Sequence, residues 1–163
     1  MPLNKDQIIV GAAQIEIDGV NAGYTTGGVT MRRANEWYDV DADQVAGVIR
    51  KEPIMERMFI QTTLLQATLD NIRTAMNDPT GNSWSGSGLS LGSAIPVAAE
   101  HVVVLRGKGE SGATRTVTMY RCISVDEVQT GMFRNTASVI PVGFECLKDP
   151  DHNDKFGTIV NSA

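Results

Sequence analysis

Five groups of residues carry side chains that could do chemistry. Gly107-Lys108-Gly109-Glu110-Ser111-Gly112 has the glycine spacing of a dinucleotide-binding loop. Such a loop needs a strand leading in and a helix N-terminus leading out, because the helix end binds the pyrophosphate. Here Thr114 to Ile123 is β-branched and alternates with period two, so a strand leads out and the match reads as a hairpin turn. Asp39-x-Asp41-x-Asp43 copies the opening ligands of a calcium loop, which requires glycine at position six and glutamate at position twelve. Those positions hold Gln44 and Arg50. Asp149-x-Asp151-x-Asn153 fails the same test, with Asp154 and Val160 there. Both acidic runs read as solvated edges, where charge also blocks unwanted strand pairing.

His101 heads an apolar strand and His152 lies in a polar segment, each without a third ligand nearby in sequence. Cys122 and Cys146 lie in apolar, strand-like surroundings without metal spacing. They read as two buried, reduced thiols that pack as small hydrophobes, and spacing leaves a single disulfide open. No serine sits in a nucleophile elbow and no pair of carboxylates stands out. The expectation is a protein without catalytic residues, metal or cofactor.

The elements that would position these groups are strands. Ala13, Ile15 and Ile17 alternate with Gln14 and Glu16, the pattern of a half-buried strand. Asp18-Gly19 follows as a tight turn, and Gly23, Gly27 and Gly28 flank Tyr24-Thr25-Thr26 in a longer, bulged return. Val29 to Arg32 alternates, and Glu36 to Asp43 continues extended through Trp37 and Tyr38. Asp43 to Pro53 reads as an extended loop or splayed hairpin projecting from the body. Ile54 to Leu64 returns as a strand with large apolar residues on both faces, which suggests two buried faces or a core face and a partner face.

One helix is expected, from Gln66 to Met76, with a stripe of Leu65, Leu69, Ile72 and Met76. Thr63 and Gln66 fit a capping box at its start, and Asn77-Asp78-Pro79 ends it. Thr80 to Ser93 is a Gly/Ser loop too long for a simple turn. Its Trp84 either plugs the core edge or anchors another subunit. Strands follow at Ala98 to Arg106 and Thr114 to Val125, and a last one runs from Gly131 to Cys146 with a break near Pro141. On the second of these, Arg115, Val117, Met119, Arg121 and Ile123 share a face. Lys148 to Ala163 reads as a polar, then weakly apolar tail.

The totals agree with this picture. The 163 residues form one expected domain, large enough for a real core. Sixteen glycines and many threonines favour sheet and turn. The net charge of −5 argues against non-specific nucleic-acid binding, which needs a basic excess. The N-terminal MPLNKDQIIV lacks a signal-peptide pattern, and no apolar run approaches the ~20 residues that span a bilayer. The expected fold is mainly β, an antiparallel barrel or sandwich of roughly seven strands with one flanking helix.

The ordered set Gln14 to Gly19, Gly23 to Thr30, Asp39 to Gln44 and Gln66 to Ile72 resembles the tail tube proteins (major tail proteins) of bacteriophages and related injection machines. The resemblance covers residues 10 to 76. It implies a tail-tube-like domain that closes into hexameric rings, with strands of neighbouring subunits lining an inner barrel and rings stacking into a conduit for DNA. It further implies a virion component assembled in the host cytoplasm, with tape measure, terminator and baseplate or tip proteins as partners. DNA would pass an acidic lumen without specific binding. The projecting segment 43–53 is then the expected inter-ring contact, carried by Asp43, Gln44, Val48, Ile49 and Arg50, with Ile54, Met55 and Trp84 as further inter-subunit residues. A tail terminator, a neck component or a secretion-system tube subunit of the same fold fits the same residues. A monomeric ligand-binding β-barrel is the alternative from a different class.

Overall fold

The computed structural model describes residues 13–77, 98–132 and 134–162. The Gly/Ser loop with Trp84, and Pro79, lie outside them. The described residues form one eight-stranded antiparallel sheet and one α-helix. The strands are β1 (Gln14–Ile17), β2 (Val20–Asn21), β3 (Thr25–Ala42), β4 (Val45–Leu64), β5 (His101–Lys108), β6 (Thr114–Ser124), β7 (Ile140–Cys146) and β8 (Gly157–Ser162). The helix α1 is Leu69–Ala75. Strand order is β2-β1-β5-β6-β7-β4-β3, with β8 also paired to β6.

The alternation expected in β1 holds, since Ile15 and Ile17 are buried. Asp18 and Gly19 make the two-residue turn to β2, both at positive φ. That conformation matches the right-handed twist of the flanking strands. Asp18 also ties this turn to β5. Its carboxylate accepts the Val102 amide at 2.8 Å and faces Nδ1 of the buried His101 at 2.7 Å. The glycine-rich return is bulged, with the β3–β4 register stepping from Thr26 to Val29 across Gly27 and Gly28. At Gly23 the backbone has φ +91°, and a Cβ there would collide with the Gln66 side chain.

The seam between β6 and β7 is short, at three residue pairs from Cys122↔Cys146 to Ser124↔Phe144. The rest of that β6 edge, Thr114 to Met119, pairs with β8. The sheet therefore forks along β6. A bulge sits beside the fork, because His101↔Cys122 and Val103↔Met119 leave one residue of β5, Val102, opposite two of β6, Tyr120 and Arg121. This corrects the expected faces of β6. Val117 and Met119 point into the core, but past the bulge Cys122 and Ser124 are buried, and Ile123 is only half-buried. The segment expected to be a tail is likewise corrected. Asp149 accepts hydrogen bonds from the Asp151 amide and His152 to close a short 3-10 turn, and the chain re-enters the sheet as β8.

The helix is shorter and rotated relative to expectation. Thr63 lies in β4, and Thr68 is the N-cap, its hydroxyl accepting the Asn71 amide at 3.2 Å. Leu65, Leu69 and Met76 stay more than a third exposed, and of the expected stripe only Ile72 packs on the core. Asn71 and Ala75 are the buried residues instead. The Asn71 amide donates to Ala22 O at 2.9 Å and Gln66 O at 2.8 Å. Ser124 donates to Ala75 O at 2.6 Å, a close approach that a small residue permits. Burying these polar groups is tolerable because each finds a partner.

The core is shared by β1, β4, β5, β6 and β7, and its largest fully buried side chain is Phe144. In β7, Ile140, Val142, Phe144 and Cys146 all face it, as their alternation requires. Pro141 is accommodated opposite Thr63, where β7 has β4 as its one strand neighbour. Among the described residues the strand expected from Gly131 begins only at Ile140 and runs unbroken through Pro141.

Candidate functional site

The most distinctive surface is the outer half of the β3–β4 hairpin. Strand β4 pairs with β7 only over Met58–Leu64. From Arg57 outward to Val45 its one partner is β3. At about 3.3 Å per residue this two-stranded arm reaches about 40 Å. The expected loop at 43–53 is thus a strand, and of the two sequence readings the hairpin is the observed one. Asp43 and Gln44 form the turn at its tip, and β4 resumes at Val45. The sequence concealed this because Gly47 and three breaks in register interrupt the alternation between Glu36 and Ala42. Bulges absorb the extra residues while the pairing continues.

The arm is unusually apolar for a ribbon with two open faces. Trp37, Tyr38, Val45, Val48, Ile49, Ile54 and Met55 are each about half exposed or more. Val48, Ile49, Arg50, Ile54 and Met55, named from sequence, lie together here with Asp43 and Gln44 at the tip. Trp84 lies outside the described residues. Trp37, Tyr38 and Val45 belong to the same surface and were not singled out. Their signal was present as large apolar residues in an acidic segment. Register was missing, and it sets Trp37 opposite Pro53 and Tyr38 opposite Glu52.

Charges sit among these apolar groups and at the arm's root. Lys51 pairs with Asp39 at 2.6 Å and Arg50 with Glu52 at 3.1 Å. At the root, the Arg33 guanidinium and the Lys148 ammonium both bind the Glu56 carboxylate. They hold its pKa below the usual carboxylate range, with the Arg33 hydrogen bond as the largest cause. Arg57 grips Glu145 of β7 with two hydrogen bonds, Nε at 2.7 Å and Nη2 at 3.0 Å. That contact lowers the Glu145 pKa and raises that of Arg57. Arg32 and Arg57 flank the Phe59 ring at 4.6 and 5.0 Å from its centroid. The root is thus braced by charge, while the outer arm is held by β3–β4 pairing and its two ion pairs.

Among the described residues an apolar cleft lies inside the fork. It holds about 290 Å³ between Met31, Met58, Met119, Phe156 and Ile159, with Arg33, Glu56 and Lys155 at the rim. Among the described residues no three His, Cys, Asp or Glu are placed to hold a metal ion. The glycine spacing at 107–112 closes the β5–β6 hairpin. No helix among the described residues is long and apolar enough to cross a membrane. No protein-family model matches the chain, and no curated protein matches it.

Proposed function

We propose that the chain is a structural subunit that polymerises through its arm, building stacked hexameric rings that form the tail tube of a phage or related injection machine. The observation that carries this reading is the arm itself. A two-stranded ribbon is marginal in water without a third strand or a packed face. This one has seven large apolar side chains half exposed or more, an arrangement that marks a surface to be covered. A second copy of the same chain is the economical cover, because self-complementary surfaces close into rings or stack as polymers. The resemblance of residues 10 to 76 to tail tube proteins supports the same assembly, with the sheet closed into a barrel-like wall. The role is conduction of DNA without catalysis, in a virion tail assembled in the host cytoplasm. Tape measure, terminator and baseplate or tip proteins are the other partners. The acidic balance suits a lumen through which DNA slides, since like charge denies it counterion-release affinity.

Negative-stain microscopy with light scattering tests this directly. The expected result is stacked rings with an open centre. An Ile54→Asp variant is expected to stay folded and lose them. Single capped rings would favour a terminator of the same fold, and a strict monomer at high concentration would overturn the proposal.

A further inference from the structure

We infer that Cys122 and Cys146 form a reversible dithiol–disulfide couple that clamps the seam where the two halves of the sheet meet. The two residues are directly opposed in the β6–β7 register. The Leu147 amide donates to Arg121 O at 2.7 Å, which makes Cys122 and Cys146 a non-hydrogen-bonded antiparallel pair. Such pairs bring their Cα atoms to about 4.5 Å, within the span a disulfide bridges without backbone movement. Both thiols are free and buried, and their sulfurs lie 3.3 Å apart. With no metal-binding group of three ligands among the described residues, the pair is left with thiol chemistry.

The place gives the couple a consequence. On one side of the seam are β2, β1, β5, β6 and β8; on the other are β7, β4 and β3, which carry the arm. Among the described residues, three residue pairs are all the strand pairing that joins them. A covalent bond in the first of those pairs fixes the arm-bearing half to the rest.

With a small-molecule disulfide as oxidant, the thiolate of one cysteine breaks the external S–S bond and expels one thiolate, leaving a mixed disulfide. The opposed cysteine, on losing its proton, attacks the sulfur of the first, forms the internal bond and expels the second thiolate. Two protons pass from the protein thiols to the released thiols, and two electrons pass from the cysteine pair to the oxidant. Entry of the oxidant requires local opening of the seam.

The test exposes the full-length folded protein to oxidised glutathione in native buffer. The reaction is then stopped with acid, and the chain is denatured and alkylated. The expected product is about 2 Da lighter than the dithiol, resists alkylation at both positions and reverts with dithiothreitol. Its Tm rises by on the order of 10 °C, because the bond closes a loop in the unfolded chain. Cys122→Ala and Cys146→Ala should each abolish the mass change and the Tm rise. If a variant fails to fold, the wild-type alkylation pattern decides alone. Alkylation of both cysteines after oxidation, closure only between chains, or closure only in urea would each overturn the inference.

Discussion

The two ends of β4 are built from the same kinds of residue and meet opposite fates. Ile60 and Leu64 at its inner end are fully buried, whereas Ile54 and Met55 further out are 62% and 49% exposed. Hydrophobicity does not distinguish them. The difference is packing, since Ile60 and Leu64 lie in the core cluster with residues of β1, β5, β6 and β7, which the outer residues do not reach. An apolar residue in a strand is stabilised only where another layer removes it from water. The inner half of the hairpin belongs to a core, and the outer half leaves its large apolar side chains open to solvent.

That contrast can be broken at four points. Phe144→Ala should have the largest effect, about 3–5 kcal/mol of lost stability in urea denaturation, because it empties a fully buried site. A loss near 0.5 kcal/mol would mean that the body is as loosely packed as the arm. Asn71→Ala should cost about 1–3 kcal/mol, measured the same way, since it leaves two carbonyls without their donor.

Acid should loosen the arm's root more gently. Glu56 and Glu145 have folded-state pKa values below their unfolded ones. Their stabilisation is therefore present above the ordinary glutamate pKa of about 4.3 and is lost as pH falls through the lowered folded values. Tm should decline below about pH 4. The decline should be shallower in a Glu56→Gln, Glu145→Gln double variant, and an unchanged slope would remove these pairs from the account. Ile54→Ala should change the isolated subunit by only about 0.5 kcal/mol or less. The same change should weaken self-association strongly in light scattering, and a large effect on the isolated subunit would show that the arm folds back on its own body.

Much of the body was legible residue by residue. Ile15 and Ile17, the Asp18-Gly19 turn, the bulge at Gly27 and Gly28, and the buried face of β7 all follow from short-range rules. Strand alternation and positive-φ turns depend on neighbours in sequence. The errors share a different cause. On β6 a single bulge set Cys122, expected to be buried, on the face of Val117 and Met119, where strict alternation would place Ile123. On α1, hydrogen bonds from Asn71 and Ser124 chose a polar face over the Leu65–Leu69 stripe. The presumed tail became β8 because β6 offered it an edge. Val48, Ile49, Arg50, Ile54 and Met55 lie along the arm with Asp43 and Gln44 at its tip, and only pairing sets Trp37, Tyr38 and Val45 beside them.

The sequence by itself determined a mainly β chain with a helix, glycine-set turns, an acidic balance and an apolar segment flanking the arm's tip. These rest on propensity and on composition, which need no partner to be read. Tertiary structure alone decided that segment 43–53 is the outer end of a paired arm about 40 Å long. It also decided that Asp18 holds His101 and that Cys122 meets Cys146 across the seam. Each of those facts is a register between residues far apart in the chain. Register is fixed by the balance of all strand pairings together, and no local pattern encodes it.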